Sequence, residues 1–120
     1  MNTSLYYQYR DASNYKQDTI VILAGTLTQF QIQEIMKIRD DGEFFIPSQV
    51  GLEDLQHRMI DGGDNMEVDH VWHELTDDAF TNTDKEPTTT ITAEQLYQSF
   101  NVVRESGWDI EQAMKDNGLI

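Results

Sequence analysis

Two apolar patterns at the start of the chain predict two adjacent strands. Apolar and polar positions alternate every second residue over Leu5–Arg10, which is typical of a strand with one exposed face. Thr19–Ala24 is instead continuously apolar and β-branched, which predicts a strand covered on both faces. Asp, Ser and Asn residues over 11–17 indicate a connecting loop, so the two strands are expected to form a hairpin.

Two later segments carry the same helix-start signals. In each, a threonine N-cap is followed three residues later by glutamine, and an apolar residue before the cap is matched by one four residues after it. The two sets are Leu27, Thr28, Gln31 and Ile32, and Ile91, Thr92, Gln95 and Leu96. These spacings predict a helix after each threonine, with Gly42 closing the first and Gly107 the second.

The segment between Asp40 and Leu55 is expected to join helix, strand and helix with little slack. Phe44–Ile46 is too short for a helix and is typical of a buried strand, which Pro47 ends because it has no N–H to donate. The two phenylalanines are therefore expected at the centre of the core. The apolar residues that follow predict a short amphipathic helix closed by two glycines. These residues are Leu52, Leu55, Met59, Gly62 and Gly63.

The second half of the chain mixes short strands, an acidic loop and helices. Asp69–Leu75 is interpreted as a strand that places Val71, His73 and Leu75 on one face and alternates them with His70, Trp72 and Glu74. The segment 76–86 is loop-like, Thr88–Thr92 has the composition of an edge strand, and Asp109 begins a last helix ending at Asn117–Gly118.

This order of elements predicts an α+β fold for the whole chain. We expect one compact domain over residues 1–120, with a mostly antiparallel sheet of four or five strands packed against three or four short helices. A chain of 120 residues is long enough to bury a core without disulfides or metals.

Composition excludes several classes of chemistry. The chain has no cysteine, so disulfides, thiolate–metal ligation and cysteine nucleophiles are absent. The first ten residues lack the layout of a signal peptide, and the longest apolar run is too short to cross a bilayer. We therefore expect a soluble, cytoplasmic protein. Neither a nucleophile-elbow glycine pattern nor a glycine-rich phosphate loop is present, and these absences disfavour an enzyme.

Charge is the strongest functional signal in the sequence. The net charge is −14, and residues 40–86 hold fourteen acids and two bases, a net charge of −12. Such a field disfavours direct binding to nucleic acid or anionic membranes and favours basic proteins or cations. The simpler alternative is a solubilising acidic surface that has no partner.

The first functional hypothesis is an acidic, non-enzymatic protein-binding module. One specific form is an inhibitor that mimics nucleic-acid charge and docks on a basic nucleic-acid-handling complex, such as an anti-restriction or anti-CRISPR protein of a phage or mobile element. The candidate partner-binding carboxylates are Asp61, Asp64, Glu67, Asp69, Glu74, Asp77, Asp78 and Asp84.

The second hypothesis is a metal site, in a metal-binding protein or a metal-dependent hydrolase. His70 and His73 lie beside Asp69 and Glu74, and imidazole with carboxylate suits zinc or manganese. The two histidines are three residues apart, so on a strand they point to opposite faces, and the alternative is a structural strand whose His and Trp side chains pack on the sheet. The neighbouring acidic loop does not match the calcium-loop pattern.

The third hypothesis is a small structural domain that self-associates through aromatic residues. The N-terminal tyrosines and Trp108 are the candidates, because tyrosine and tryptophan are enriched at interfaces. Stacking of these tyrosines on single-stranded nucleic acid is disfavoured by the net negative charge. The aromatic residues are Tyr6, Tyr7, Tyr9 and Trp108.

Overall fold

The computed structural model describes residues 1–11, 14–56 and 70–116 of the chain. These residues form an α+β fold with five strands, three α-helices and one short 3-10 helix, which confirms the predicted class. Among them, no helix has both the length and the apolar character that a membrane span requires. The elements are β1 (Asn2–Arg10), β2 (Lys16–Leu23), α1 (Gln29–Ile38), β3 (Phe44–Phe45), the 3-10 helix (Pro47–Val50), β4 (His73–Glu74), β5 (Phe80–Thr83), α2 (Ala93–Ser106) and α3 (Ile110–Asp116).

Strand β1 organises the sheet, because three other strands pair with it and all pairings are antiparallel. Strand β2 lies along one edge of β1 as the predicted hairpin. On the other edge, β4 pairs with residues 8–9 of β1 and β5 pairs with residues 2–5. Strand β3 extends the sheet beyond β4. One long strand therefore positions every other strand.

The two faces of β1 have different environments. Leu5, Tyr7 and Tyr9 are almost fully buried, whereas the alternate side chains are half-buried on the opposite face. The buried face packs against Leu96 and Phe100 of α2 within one continuous apolar core. We call this side of the sheet the inner face and the opposite side the outer face.

The helix starts are confirmed in detail. Thr28 accepts a hydrogen bond from the backbone N–H of Gln31, and the Gln31 side chain accepts one from the N–H of Thr28. Thr92 and Gln95 form the same reciprocal capping box at the start of α2, and Gly107 ends that helix. Each box satisfies two backbone donors that the first helical turn leaves without partners.

The role predicted for Gly42 is wrong. Helix α1 ends at Ile38 with Arg39 as its C-cap residue, and the Arg39 guanidinium donates to the Met36 carbonyl in the last turn and to the Leu75 carbonyl. Gly42 does have a positive φ of 70°, as its residue type suggested, but it lies with Asp41 (φ 54°) in the tight turn before β3. Gly42 thus has the left-handed conformation expected of it, but in the turn before β3 and not at the end of α1.

Two predicted elements are not formed by the described residues. Leu52–Leu55 is not helical although both leucines are buried, and Met59 with the glycine pair lies outside the described residues. Thr88–Thr92 is not a strand; Thr88 hydrogen-bonds to Ile22 at the edge of β2, and Thr92 forms an isolated parallel bridge with Ala24.

Two further predictions about strands are corrected. Strand β5 occupies Phe80–Thr83, within the segment that was predicted to be a loop. The prediction that Thr19–Ala24 is covered on both faces is also wrong, because Ile20 on the outer face is 60% exposed. Of the two phenylalanines expected at the core centre, Phe45 is fully buried and Phe44 is only half-buried.

Candidate functional site

The predicted alternation over residues 70–75 is confirmed even though only His73–Glu74 is paired as a strand. Val71, His73 and Leu75 are buried, whereas the intervening side chains are half-buried. The two histidines of this segment therefore differ in burial, His73 being fully buried and His70 half-buried, although both rings contact Tyr9.

His73 is part of the core. It is fully buried, in contact with the rings of Tyr7 and Tyr9. Its Nε2 accepts a hydrogen bond from the backbone N–H of Leu55 at 2.9 Å, which leaves Nδ1 protonated to donate to the Val71 carbonyl at 3.1 Å. Burial lowers the pKa of His73 to about 4, against a smaller raising effect of the Asp54 carboxylate. His73 is thus a neutral side chain that ties two irregular segments to the sheet.

His70 lies at the end of the same segment with both ring nitrogens engaged. Its Nδ1 accepts the backbone N–H of Trp72 at 3.0 Å, so Nε2 carries the proton and donates to the Arg10 carbonyl at 2.8 Å. The ring also contacts Tyr9, with centroids 5.0 Å apart. These contacts connect β4 to the end of β1.

The metal hypothesis therefore stays a prediction that the geometry does not favour. A metal ion needs a nitrogen lone pair, and both imidazoles use theirs to accept backbone N–H groups. Within 1–11, 14–56 and 70–116, no group of three His, Asp or Glu side chains is placed to hold a metal, and Asp69 lies outside those ranges. Zinc or manganese binding would require these hydrogen bonds to break.

Glu74 lies on the outer face in a hydrogen-bonded network instead of projecting freely into solvent. It accepts from the Gln8 amide at 3.0 Å and from the Arg10 guanidinium at 2.9 Å. The network continues through Tyr6, whose hydroxyl donates to Asp18 at 3.1 Å. Burial, and then the hydrogen bond to Asp18, raise the pKa of the Tyr6 phenol. This predicted partner-binding carboxylate is thus already paired with a base.

Asp77 and Asp78 lie in the loop between β4 and β5, where they are exposed. Asp77 is 90% exposed and pairs with Arg39 at 2.8 Å, and Asp78 accepts a hydrogen bond from Thr76 at 2.7 Å. Asp84 is exposed just after β5, at the other end of the β5–β1 ladder. The remaining four predicted positions, Asp61, Asp64, Glu67 and Asp69, lie outside the described residues.

A second acidic turn is joined to the Asp77–Asp78 loop, which the sequence analysis did not foresee. The turn over 40–44 closes on itself through the Asp40–Phe44 bridge. It is fixed to β4 because the N–H of Leu75 donates to the Glu43 carbonyl at 2.9 Å. Arg39 completes the connection by donating to the Leu75 carbonyl at 2.6 Å and to Asp77.

We call the exposed carboxylates of these two loops the acidic rim. Its members project from backbone that hydrogen bonds hold to the sheet, and Arg39, with only 10% of its side chain exposed, is the base paired within it. Three of its acids lie close together just before the Phe44–Ile46 segment, and that clustering is the signal in the sequence that could have located this part of it. The rim consists of Asp40, Asp41, Glu43, Asp77 and Asp78.

The tyrosines proposed for self-association are mostly buried. Tyr7 and Tyr9 have no exposed surface, and their hydroxyls donate to the carbonyls of Glu53 and His70. They are core residues and are not available to a second copy. Trp108 is half-buried, with its indole N–H donating to the Ile38 carbonyl.

Comparison with known proteins gives no functional assignment. No protein-family model matches the chain, and no significantly similar protein was found among curated proteins or solved structures.

Proposed function

We propose that this protein is a non-enzymatic binding module that docks on a basic partner through the acidic rim. The proposal is supported by one observation: two loops that carry five exposed carboxylates are held beside each other by a backbone hydrogen bond between them and by one partly buried arginine. A pre-ordered charged surface binds with less loss of conformational entropy than carboxylates on a free chain.

The charge balance of the whole molecule supports the same proposal. With a net charge of −14, the long-range field attracts basic surfaces and accelerates encounter with them. A basic channel that neutralises phosphates presents such a surface, so a nucleic-acid-handling protein is the partner class we favour.

Matched charge reversals test the proposal. The immobilised protein is exposed to a host lysate at low salt, and captured proteins are compared for wild type, Asp77→Lys/Asp78→Lys and the control Glu105→Lys/Asp116→Lys. Both variants change the net charge equally, but the control positions are exposed residues of α2 and α3 that do not belong to the rim. We expect the rim variant to lose a basic protein that wild type and control retain.

The nucleic-acid-mimic form of the proposal has its own readout. The captured protein is assayed for nucleic-acid binding with and without increasing amounts of this protein. Displacement of nucleic acid by wild type, and not by the rim variant, is the expected result. Equal capture by both reversal variants would contradict a role of the rim, and capture without displacement would limit the proposal to docking.

A further inference from the structure

An open pocket of about 600 Å³ lies beside the acidic rim on the outer face of the sheet. His70, Trp72 and Glu74 reach it from the β4 segment, and Phe44, the direct cross-strand partner of Glu74, reaches it from β3. The other lining residues are Arg10, Asp11 and Glu43.

The walls of this pocket combine aromatic rings with carboxylates. Trp72 and Phe44 are half-buried, and Trp72 is supported from behind by edge contact with Trp108 at a centroid distance of 6.3 Å. The lining includes the carboxylates of Asp11, Glu43 and Glu74 and one guanidinium, that of Arg10, which is paired with Glu74. The pocket therefore has a net negative charge together with aromatic faces, and it shares Glu43 with the rim.

We infer that this pocket binds a guanidinium group, in the form of an arginine side chain of the docked partner. This inference rests on the proposed function and adds the anchor residue to it. A guanidinium is planar, stacks on aromatic faces and donates several hydrogen bonds to carboxylates, so it uses both kinds of wall at once. Arginine is also among the residues enriched in the hot spots of protein interfaces.

A second cavity, also lined by described residues, has a different chemistry. It measures about 320 Å³, lies between the C-terminal ends of α1 and α2, and is lined by Lys37 and Arg104 as well as Glu34. Two bases against one acid disfavour a cation there. Trp108 lines that cavity and Trp72 lines the pocket on the sheet, and because the two rings touch, Trp108 is expected to respond only weakly to binding in the pocket.

A titration with N-acetyl-arginine amide, followed by the two indole N–H signals in NMR, tests the inference. N-acetyl-citrulline amide is the control, because it has almost the same shape without the charge. We expect saturable shifts of the Trp72 signal at millimolar arginine amide, smaller shifts of Trp108, and little effect of the citrulline compound.

Two substitutions of exposed carboxylates complete the test without disturbing the core. Glu43→Gln is expected to weaken binding of the arginine compound about threefold or more, whereas Glu86→Gln, which lies away from the pocket, leaves it unchanged. Equal shifts with arginine and citrulline compounds, or no saturable shift, would overturn the inference.

The failure of this inference is distinguishable from failure of the docking proposal. If lysate capture depends on Asp77 and Asp78 but the arginine compound does not bind, the rim docks a partner without an arginine anchor. If the arginine compound binds and capture is insensitive to the rim, the pocket stands and the docking proposal falls.

Discussion

At the residue scale, His73 shows how one buried polar side chain stabilises irregular backbone. The segment Leu52–Leu55 forms no helix, and its attachment to the sheet includes the hydrogen bond from the Leu55 N–H to His73. Only the neutral imidazole has a lone pair on Nε2 that can accept this bond, and burial of the ring favours the neutral form. The stability of the fold is therefore linked to the protonation of His73.

The pH dependence of stability follows from this burial. The pKa of His73 is about 4 in the folded protein and about 6.5 in the unfolded chain, so between these values the unfolded chain binds a proton that the folded protein does not. The contribution of His73 is complete above pH 6.5 and is lost as the pH falls toward 4. It amounts to roughly 3 to 4 kcal/mol, from about 1.4 kcal/mol per pKa unit.

Chemical denaturation at several pH values, compared with His73→Gln, measures this contribution. Glutamine can accept from Leu55 and donate to Val71 without titrating in this range. We expect the stability difference between wild type and His73→Gln to shrink steadily from pH 7 to pH 4, since the many carboxylates affect both proteins alike. A difference independent of pH would show that His73 does not titrate on unfolding.

At the scale of elements, the sequence predicted the helix starts correctly because the hydrogen-bond partners there are close together in the chain. The capping boxes of α1 and α2 were predicted because every group involved lies within four residues. The alternation over 70–75 was predicted from the local pattern of apolar and polar residues, although the strands that pair with this segment, β1 and β3, lie far away in the chain. In contrast, β5 is a strand only because β1 offers backbone partners to Phe80–Thr83, and no local pattern in that polar segment indicates the pairing.

The acidic rim illustrates the same limit for the functional site. The sequence located the excess of acids in the middle third, and it included Asp77 and Asp78 among the candidates. It did not show that the turn over 40–44 lies beside them, because that proximity depends on the bond from Leu75 to Glu43, residues 32 positions apart in the chain. The three-residue spacing of Leu52 and Leu55 likewise suggested a helix. Both leucines are buried, but the segment that carries them is irregular.

The capping box of α2 gives a prediction at this scale. Thr92→Ala removes the acceptor for the Gln95 N–H and should cost about 1 kcal/mol, or about 4 °C in melting temperature. Thr90→Ala, an exposed threonine two residues before the cap, is the matched control and should change little. Thermal unfolding measures both, and equal melting temperatures would show that the box does not stabilise the helix.

At the scale of the whole molecule, the acidic loops are attached to a rigid core. The helices and the inner face form a core that fixes β1, and β1 fixes β4. Strand β4 and Arg39 in turn hold the two acidic loops. The loops that carry the exposed carboxylates are thus fixed by the same contacts that stabilise the fold, and the attraction of these loops for a basic surface is expected to be specific as well as long-ranged.

The most direct test of this claim is the salt dependence of the dissociation constant between this protein and the basic protein that it captures. The account predicts that affinity falls linearly with salt on logarithmic axes, and that Asp77→Lys/Asp78→Lys gives a weaker affinity and a shallower slope than Glu105→Lys/Asp116→Lys. Binding that is insensitive to salt, or identical slopes for the two reversals, would contradict the account.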